Sequence, residues 1–255
     1  MSKIESAVRE IYRMDELASK DTWLVSLHPL VKVLVTIIYI VFTVSFSQFQ
    51  LEKLLLMILY PAVLFILGEV SFRESIRRLR IILPLVCLIG IFNPIFDRNE
   101  VFIFSGFVVT SGMISMVTLM IKGVLCVLAS YLLIATTRVE KICYGLRQIH
   151  VPAVLVTQIL LTYRYISLLL SEAGKTWQAY SLRAPGQKGI HIKAWGSLLG
   201  GLLLRSMDRA SALYESMTLR GFHGEFSYSN TIPIRWKDVG YLIIWCLIFI
   251  LIKYI

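Results

Sequence analysis

Residues 112–136 read GMISMVTLMIKGVLCVLASYLLIAT, an apolar run broken by a single charge at Lys122. A helix needs about 20 mostly apolar residues to cross a hydrocarbon core of about 30 Å, and this stretch meets that requirement unaided. Working outward, the same criterion selects Leu30–Phe49, Leu51–Gly68, the shorter Ile81–Phe96 and the C-terminal Val239–Ile255. Ile81–Phe96 carries Pro84 and Asn93-Pro94, which membrane helices tolerate when neighbours satisfy the freed carbonyls. The composition agrees: 57% of the 255 residues are apolar, 16% are charged, and the mean hydropathy is +0.73. Soluble domains carry roughly 25% charged residues. The expected fold class is an all-α integral membrane protein with about five transmembrane helices, four within 30–137 and one at 238–255.

The 26 Lys and Arg exceed the 16 Asp and Glu, giving a net charge of +10. A basic balance suits a nucleic-acid partner when it is spread over a polar chain. Here it falls between apolar runs, so no nucleic-acid partner is expected. Cytoplasmic loops of membrane proteins retain Lys and Arg. The loop Glu69–Arg80 holds Arg73, Arg77, Arg78 and Arg80, and Arg138, Lys141 and Arg147 follow the span 112–136, whereas the turn Ser47–Glu52 has no basic residue. This alternation places segment 1–29 and the region after Arg138 in the cytoplasm. The first 30 residues are too charged for a cleavable signal peptide, so the chain is expected to keep its N-terminus. Cys87, Cys126, Cys143 and Cys246 are widely spaced and read as packing residues rather than as a disulfide or zinc framework. An ionisable residue deep in a span is a functional candidate by default. With no acidic mate in any span, Lys122 reads more simply as a lysine facing the bundle and pairing with a carbonyl.

Between Arg138 and Lys237 thirteen Lys and Arg face five Asp and Glu. The region 138–237 reads as a cytoplasmic coupling region built on two long amphipathic helices. The first helical pattern covers about Pro152–Leu182, apolar at its start and more polar after Ser171. Gln158 and Arg164 argue against a full crossing by Pro152–Leu170, and the sequence leaves that point open. The second covers about Lys193–Leu219, with Trp195, Leu199, Leu202, Ser206, Ala210, Leu213 and Met217 on one face. Gly196 and Gly200 have the small-xxx-small spacing that lets two helix backbones approach closely; the alternative is flexibility near the helix start.

Both helices end alike. The first closes on Ser181-Leu182-Arg183-Ala184-Pro185-Gly186, the second on Thr218-Leu219-Arg220-Gly221-Phe222-His223-Gly224. Each gives a hydroxyl residue, Leu, Arg and a small residue before a helix stop. An Arg in a last turn offsets the negative end of the helix dipole by about 0.3–1 kcal/mol, which explains either ending singly. Its repetition suggests a paired docking device, because small neighbours let a surface approach and a guanidinium fork binds carboxylates bidentately.

The doubled Leu-Arg-small motif behind four spans resembles the T component of energy-coupling factor (ECF) transporters, over nearly the whole chain. Met14-Asp15-Glu16-Leu17-Ala18, Asp21-Thr22-Trp23-Leu24 and Leu27-His28-Pro29-Leu30-Val31-Lys32 look like the N-terminal segment of its cobalt-type branch, the CbiQ family within CbiQ/EcfT. Pro185 departs from the Ala-Arg-Gly or Arg-Arg-Gly that the family more often shows at these tips. The resemblance implies a non-catalytic scaffold in a bacterial or archaeal plasma membrane, multi-pass and with a cytoplasmic N-terminus. It would bind two ABC ATPases through two crossing coupling helices, hold a substrate-binding membrane subunit, and contact lipid. By motif position, Leu182, Arg183, Ala184, Leu219, Arg220 and Gly221 would form the ATPase-coupling sites, each Arg in a groove on one ATPase. No cofactor is expected in this chain, ATP and Mg belonging to the partner ATPases. Cobalt is the expected cargo, with nickel or a vitamin as alternatives.

Gly174-Lys175-Thr176 looks like the end of a phosphate-binding loop, but the first glycine of that pattern is replaced by Leu169 in a helical run. For a membrane enzyme, the rival class along with an unrelated permease subunit, the candidates are His28, His150, His191 and His223. None has a metal-ligand spacing to another His or a Glu, so no catalytic or metal-ligating residue is assigned. His28-Pro29 reads equally as the turn that starts a helix. Trp177 and Tyr180 are left open between a substrate subunit and lipid.

Overall fold

The computed structural model describes residues 23–47, 49–69, 100–104, 107–187, 189–224 and 233–254, with positions 9, 12, 13, 16, 18, 75, 84, 88, 90–94 and 226. The expected third span Ile81–Phe96 and Cys87 lie largely or wholly outside these residues. Two compact units are present: Met1–Glu16 with Leu146–Thr231, and Leu17–Gly145 with Ile232–Ile255. The second unit contains the helices α1 (Trp23–Ser26), α2 (Pro29–Ser45), α3 (Leu51–Leu56), α4 (Leu59–Gly68), α5 (Ser111–Thr136) and α9 (Trp236–Tyr254). Helix α6 (Val139–Gln148) follows α5. The first unit contains α7 (Ala153–Arg183) and α8 (Ile192–Leu219). The protein is an all-α membrane protein, with one addition that the sequence did not signal. Glu100–Phe104 (β1) and Phe107–Thr110 (β2) pair as an antiparallel hairpin leading into α5.

Helix α2 starts where the sequence provides a cap. The His28 ring nitrogen Nδ1 accepts the Leu30 N–H at 3.3 Å, and Pro29 occupies the first helical position, where its missing N–H costs nothing. From the first turn of α2, buried Lys32 donates through Nζ to the Thr136 carbonyl at 3.1 Å and to Thr137 Oγ1 at 3.3 Å, at the end of α5. The relation is reciprocal, for Lys122 of α5 donates to the carbonyls of Val44 and Phe46 at the end of α2. Helix ends leave four carbonyls without intrahelical partners, and hydrocarbon supplies no water to satisfy them. Lys122 is therefore a helix-capping cation, as its lack of an acidic mate suggested. The two contacts fix α2 and α5 antiparallel.

The span Leu51–Gly68 is broken at Met57–Ile58. Pro61 removes the N–H that would bond the Met57 carbonyl, and the Tyr39 hydroxyl takes its place at 3.0 Å. Thr36 Oγ1 donates to the Lys32 carbonyl at 2.9 Å, so the Tyr60 hydroxyl is the donor in their 3.0 Å contact. Around these bonds Tyr39, Tyr60, Trp245 and Phe249 interlock, with Tyr39–Tyr60 centroids 4.5 Å apart and Tyr60 edge-on to Trp245 at 4.8 Å. Such pairs add about 0.5–1.5 kcal/mol beyond area burial.

Helix α9 docks through Asp238, which is 3% exposed. Its carboxylate accepts the His28 N–H and the Arg235 N–H, both at 2.8 Å, joining the starts of α2 and α9. Because Phe249 meets Tyr39 and Phe42 further along, α9 runs parallel to α2, and its end lies at the opposite face of this unit from His28. Trp236 and Tyr254, 92% and 84% exposed, mark its two ends as interfacial anchors do. Buried Cys143 lies on α6, where burial and then Glu140 push its thiol pKa up, in keeping with a packing role; Cys126 and Cys246 are half-buried and free.

Lys122→Met is expected to leave the Val44 and Phe46 carbonyls unpaired at a cost of about 1–3 kcal/mol; thermal unfolding in detergent should show a lower midpoint, with exposed Lys193→Met as the control. Asp238→Leu strips the partner from two backbone N–H groups, one buried and one part-buried, and should cost at least as much, about 1–3 kcal/mol for the buried donor alone. Equal midpoints for Lys122→Met and Lys193→Met would refute the capping role.

Candidate functional site

Helix α7 matches the sequence expectation of 152–182 to within a residue at each end, and α8 that of 193–219. Residues 153–183 are long and apolar enough to cross a membrane. Gly174-Lys175-Thr176 lies within continuous helix, with Thr176 Oγ1 bonded to the Glu172 carbonyl at 2.9 Å, which is not the geometry of a phosphate loop.

The two tips are closed differently. In α7, Arg183 is the last helical residue and Ala184 the cap, its N–H bonding the Tyr180 carbonyl at 3.0 Å. Pro185 follows at once and cannot continue the helix; the turn closes with the Gln187 N–H on the Ala184 carbonyl and Gly186 at φ 89°. In α8, Arg220 is itself the cap. The Gly221 N–H bonds the Thr218 carbonyl and the Phe222 N–H the Met217 carbonyl, both at 3.0 Å. This is a Schellman closure, and it requires the left-handed backbone of Gly221, φ 83°. So the small residue after Arg220 is there for backbone geometry, whereas Ala184 after Arg183 is an ordinary cap.

Both arginines are exposed. Leu182 and Leu219 beside them are 82% and 89% exposed. An apolar side chain held in the open next to a cation at a helix end is a poor arrangement for the isolated chain and a good one for a partner's groove.

Between α7 and α8 lies an apolar groove of about 480 Å³ lined by Val154, Leu161, Leu169, Leu213, Met217 and Phe222, with Arg209 among its polar members. Ala210, Leu213 and Met217 belong to the apolar face expected from the sequence. The helices are also tied by Arg205, whose Nη2 donates to Thr176 Oγ1 at 3.2 Å. Gly196 and Gly200 do not mediate this crossing: a Cβ added at either meets nothing within 4 Å. Small-xxx-small spacing permits close approach without compelling it. The sequence also gave no sign that Tyr180 bonds the loop after α7, since its partners Gln187 and His191 lie beyond the helix end.

The four histidines do not converge. His28 and His191 cap α2 and α8, His150 lies in the turn after α6 with φ 64°, and His223 lies in the turn after α8. Among the described residues no group of His, Cys, Asp or Glu could hold a metal ion.

A family model described as cobalt transport protein, CbiQ, matches residues 20–231, which takes in both arginine tips and both caps of α2 and α8. The chain belongs to the CbiQ family. Among its relatives, the energy-coupling factor transporter transmembrane protein EcfT of Lactococcus lactis is 25% identical over 88% of this chain and 89% of its own. The nickel permease LarQ of Lactiplantibacillus plantarum is 29% identical over 40% of this chain and 38% of its own. The cobalt transport protein CbiQ of Rhodobacter capsulatus is 31% identical over 40% and 42%. The chain thus spans less than half the length of LarQ and of that CbiQ, and nearly all of EcfT. A T-type membrane component of a transport system is the identity that the family and the apolar helices share.

Gly221→Ala is expected to cost about 1–2 kcal/mol through its left-handed backbone, with no steric term because the space around it is open. Hydrogen exchange at residues 217–222 should quicken by about tenfold relative to wild type, and unchanged exchange would contradict the Schellman assignment.

Proposed function

We propose that the chain is the energy-coupling scaffold of an ATP-driven ECF-type importer, linking two ABC ATPases to a substrate-binding membrane subunit. The observation that carries this reading is the pair of exposed arginine tips, each presenting Arg beside an exposed Leu at the end of a long helix. Arg183 and Arg220 each enter a groove on one ATPase, pairing with carboxylates through the guanidinium fork, while Leu182 and Leu219 fill an apolar hollow beside it. The region 138–237 is cytoplasmic, and so is the N-terminal segment 1–29. The parallel course of α2 and α9 then supports an external C-terminus.

ATP and Mg are bound by the ATPases, and this chain supplies no catalytic group. Closing of the ATPase pair pulls on the two tips, and the helices behind them carry the movement. The apolar groove between α7 and α8 suits an apolar helix of the substrate-binding subunit, which the moving helices would tilt. Cobalt is the cargo by likeness to the family description. A second reading, nickel, is supported by the similarity to LarQ; in both, the cargo is chosen by the substrate-binding subunit.

Affinity purification in mild detergent from native membranes tests the assembly. Wild-type protein is expected to bring down two cassette ATPase subunits and a small membrane protein. A charge-assisted hydrogen bond contributes about 1.5–3 kcal/mol, so Arg183→Ala with Arg220→Ala should lower ATPase recovery by at least tenfold while leaving membrane insertion intact. Normal ATPase recovery and uptake in the double variant would sink this reading.

A further inference from the structure

The connection between the arginine-tipped helices is built from residues that would leave it loose. Gly186 and Gly189 both sit at positive φ, 89° and 87°, and Pro185 interrupts any continuation of α7. One side chain bridges this connection. The Tyr180 hydroxyl donates to Gln187 Oε1 at 3.1 Å and accepts the His191 N–H at 3.2 Å. Its own carbonyl accepts the N–H of Ala184, the cap of α7. His191 is the N-cap of α8, its Nδ1 accepting the Lys193 N–H at 3.3 Å. A phenol one turn before Arg183 is therefore bonded directly to the residue that starts the helix ending at Arg220.

Two separated contacts define the angle between two rods, whereas one leaves a pivot. Among the described hydrogen bonds, Arg205 on Thr176 supplies one such contact beside the apolar groove, and Tyr180 on His191 supplies a second next to the connection. Tyr180 is half-buried, but the two bonds of its hydroxyl are exposed, so they are not needed to satisfy a buried group or to complete a core.

We propose that Tyr180 is a positioning residue, a strut that fixes the angle between α7 and α8 so that movement imposed at the Arg183 tip is transmitted to the Arg220 tip. Its mechanical consequence rests on the scaffold reading above. The strut itself does not, because it is a property of this chain alone.

The test has two arms. In the full chain in lipid nanodiscs, with the native cysteines replaced, spin labels at Leu182→Cys and Leu219→Cys report the tip-to-tip distance. Tyr180→Phe is expected to widen that distribution at least twofold, as is Gln187→Leu to a smaller extent, whereas Gln187→Glu keeps an acceptor and should retain the wild-type width. In the reconstituted assembly, Tyr180→Phe should leave ATPase recovery and ATP turnover within twofold of wild type and lower cargo uptake per ATP by at least fivefold. An unchanged distance distribution, or uptake and assembly falling together, would overturn the strut. A widened distribution in a chain that recruits no ATPase would uphold the strut and refute the scaffold instead.

Discussion

Two lysines hold the membrane unit in register. Lys32 near the start of α2 occupies the open carbonyl end of α5, and Lys122 of α5 occupies the open carbonyl end of α2. The spacing is self-consistent: at 1.5 Å per residue, the stretch from Lys32 to Val44 is about 18 Å and that from Lys122 to Thr136 about 21 Å. A cation inside a hydrocarbon layer costs several kcal/mol unless it is paired, and carbonyls at a helix end cost likewise unless bonded. Each lysine satisfies both demands in one contact, and only with the helices antiparallel. The remaining elements attach around this pair: the broken span packs along α5 and is bonded to α2 by Tyr39 at the carbonyl that Pro61 orphans, and α9 packs on α2, with Asp238 at the backbone of His28.

The sequence made the spans legible because apolar run length is a property of residues taken in order. Leu51–Gly68, Gly112–Thr136 and both long helices of the coupling region fall within a residue or so of the observed elements. The endings were legible too, since Pro185 and Gly221 act on the backbone locally. What escaped was of two kinds. The break at Met57 depends on Pro61 having a hydroxyl from another helix to replace its lost donor, and no local pattern reports that partner. Gly196 and Gly200 carried the right spacing for a close crossing, yet the contact is made by Arg205, whose length lets it reach Thr176 from a position that composition assigns to the polar face.

The two units use polar bonds in opposite ways. In the membrane unit the bonds of Lys32, Thr36, Tyr39 and Asp238 are buried, where a lost partner leaves a desolvated group behind. In the coupling unit the bonds of Tyr180, His191 and Arg205 are exposed, where water can take over a lost partner's role. Helix α8 has no buried residue at all, and Leu203, Leu204 and Met207 stand more than half exposed along it.

Most helical stability in proteins comes from packing an apolar face, and α8 has little such packing within the chain. That same deficit makes it responsive. Buried bonds resist displacement by the full desolvation cost, about 1–3 kcal/mol each, and exposed ones by about 0.5–1.5 kcal/mol or less. A force applied at Arg183 or Arg220 will therefore move α7 and α8 long before it disturbs α2 against α5. The proposed scaffold, passing motion between partners without coming apart, would need this ordering of strengths, and the chain has it, with its costly polar contacts in one unit and its replaceable ones in the other.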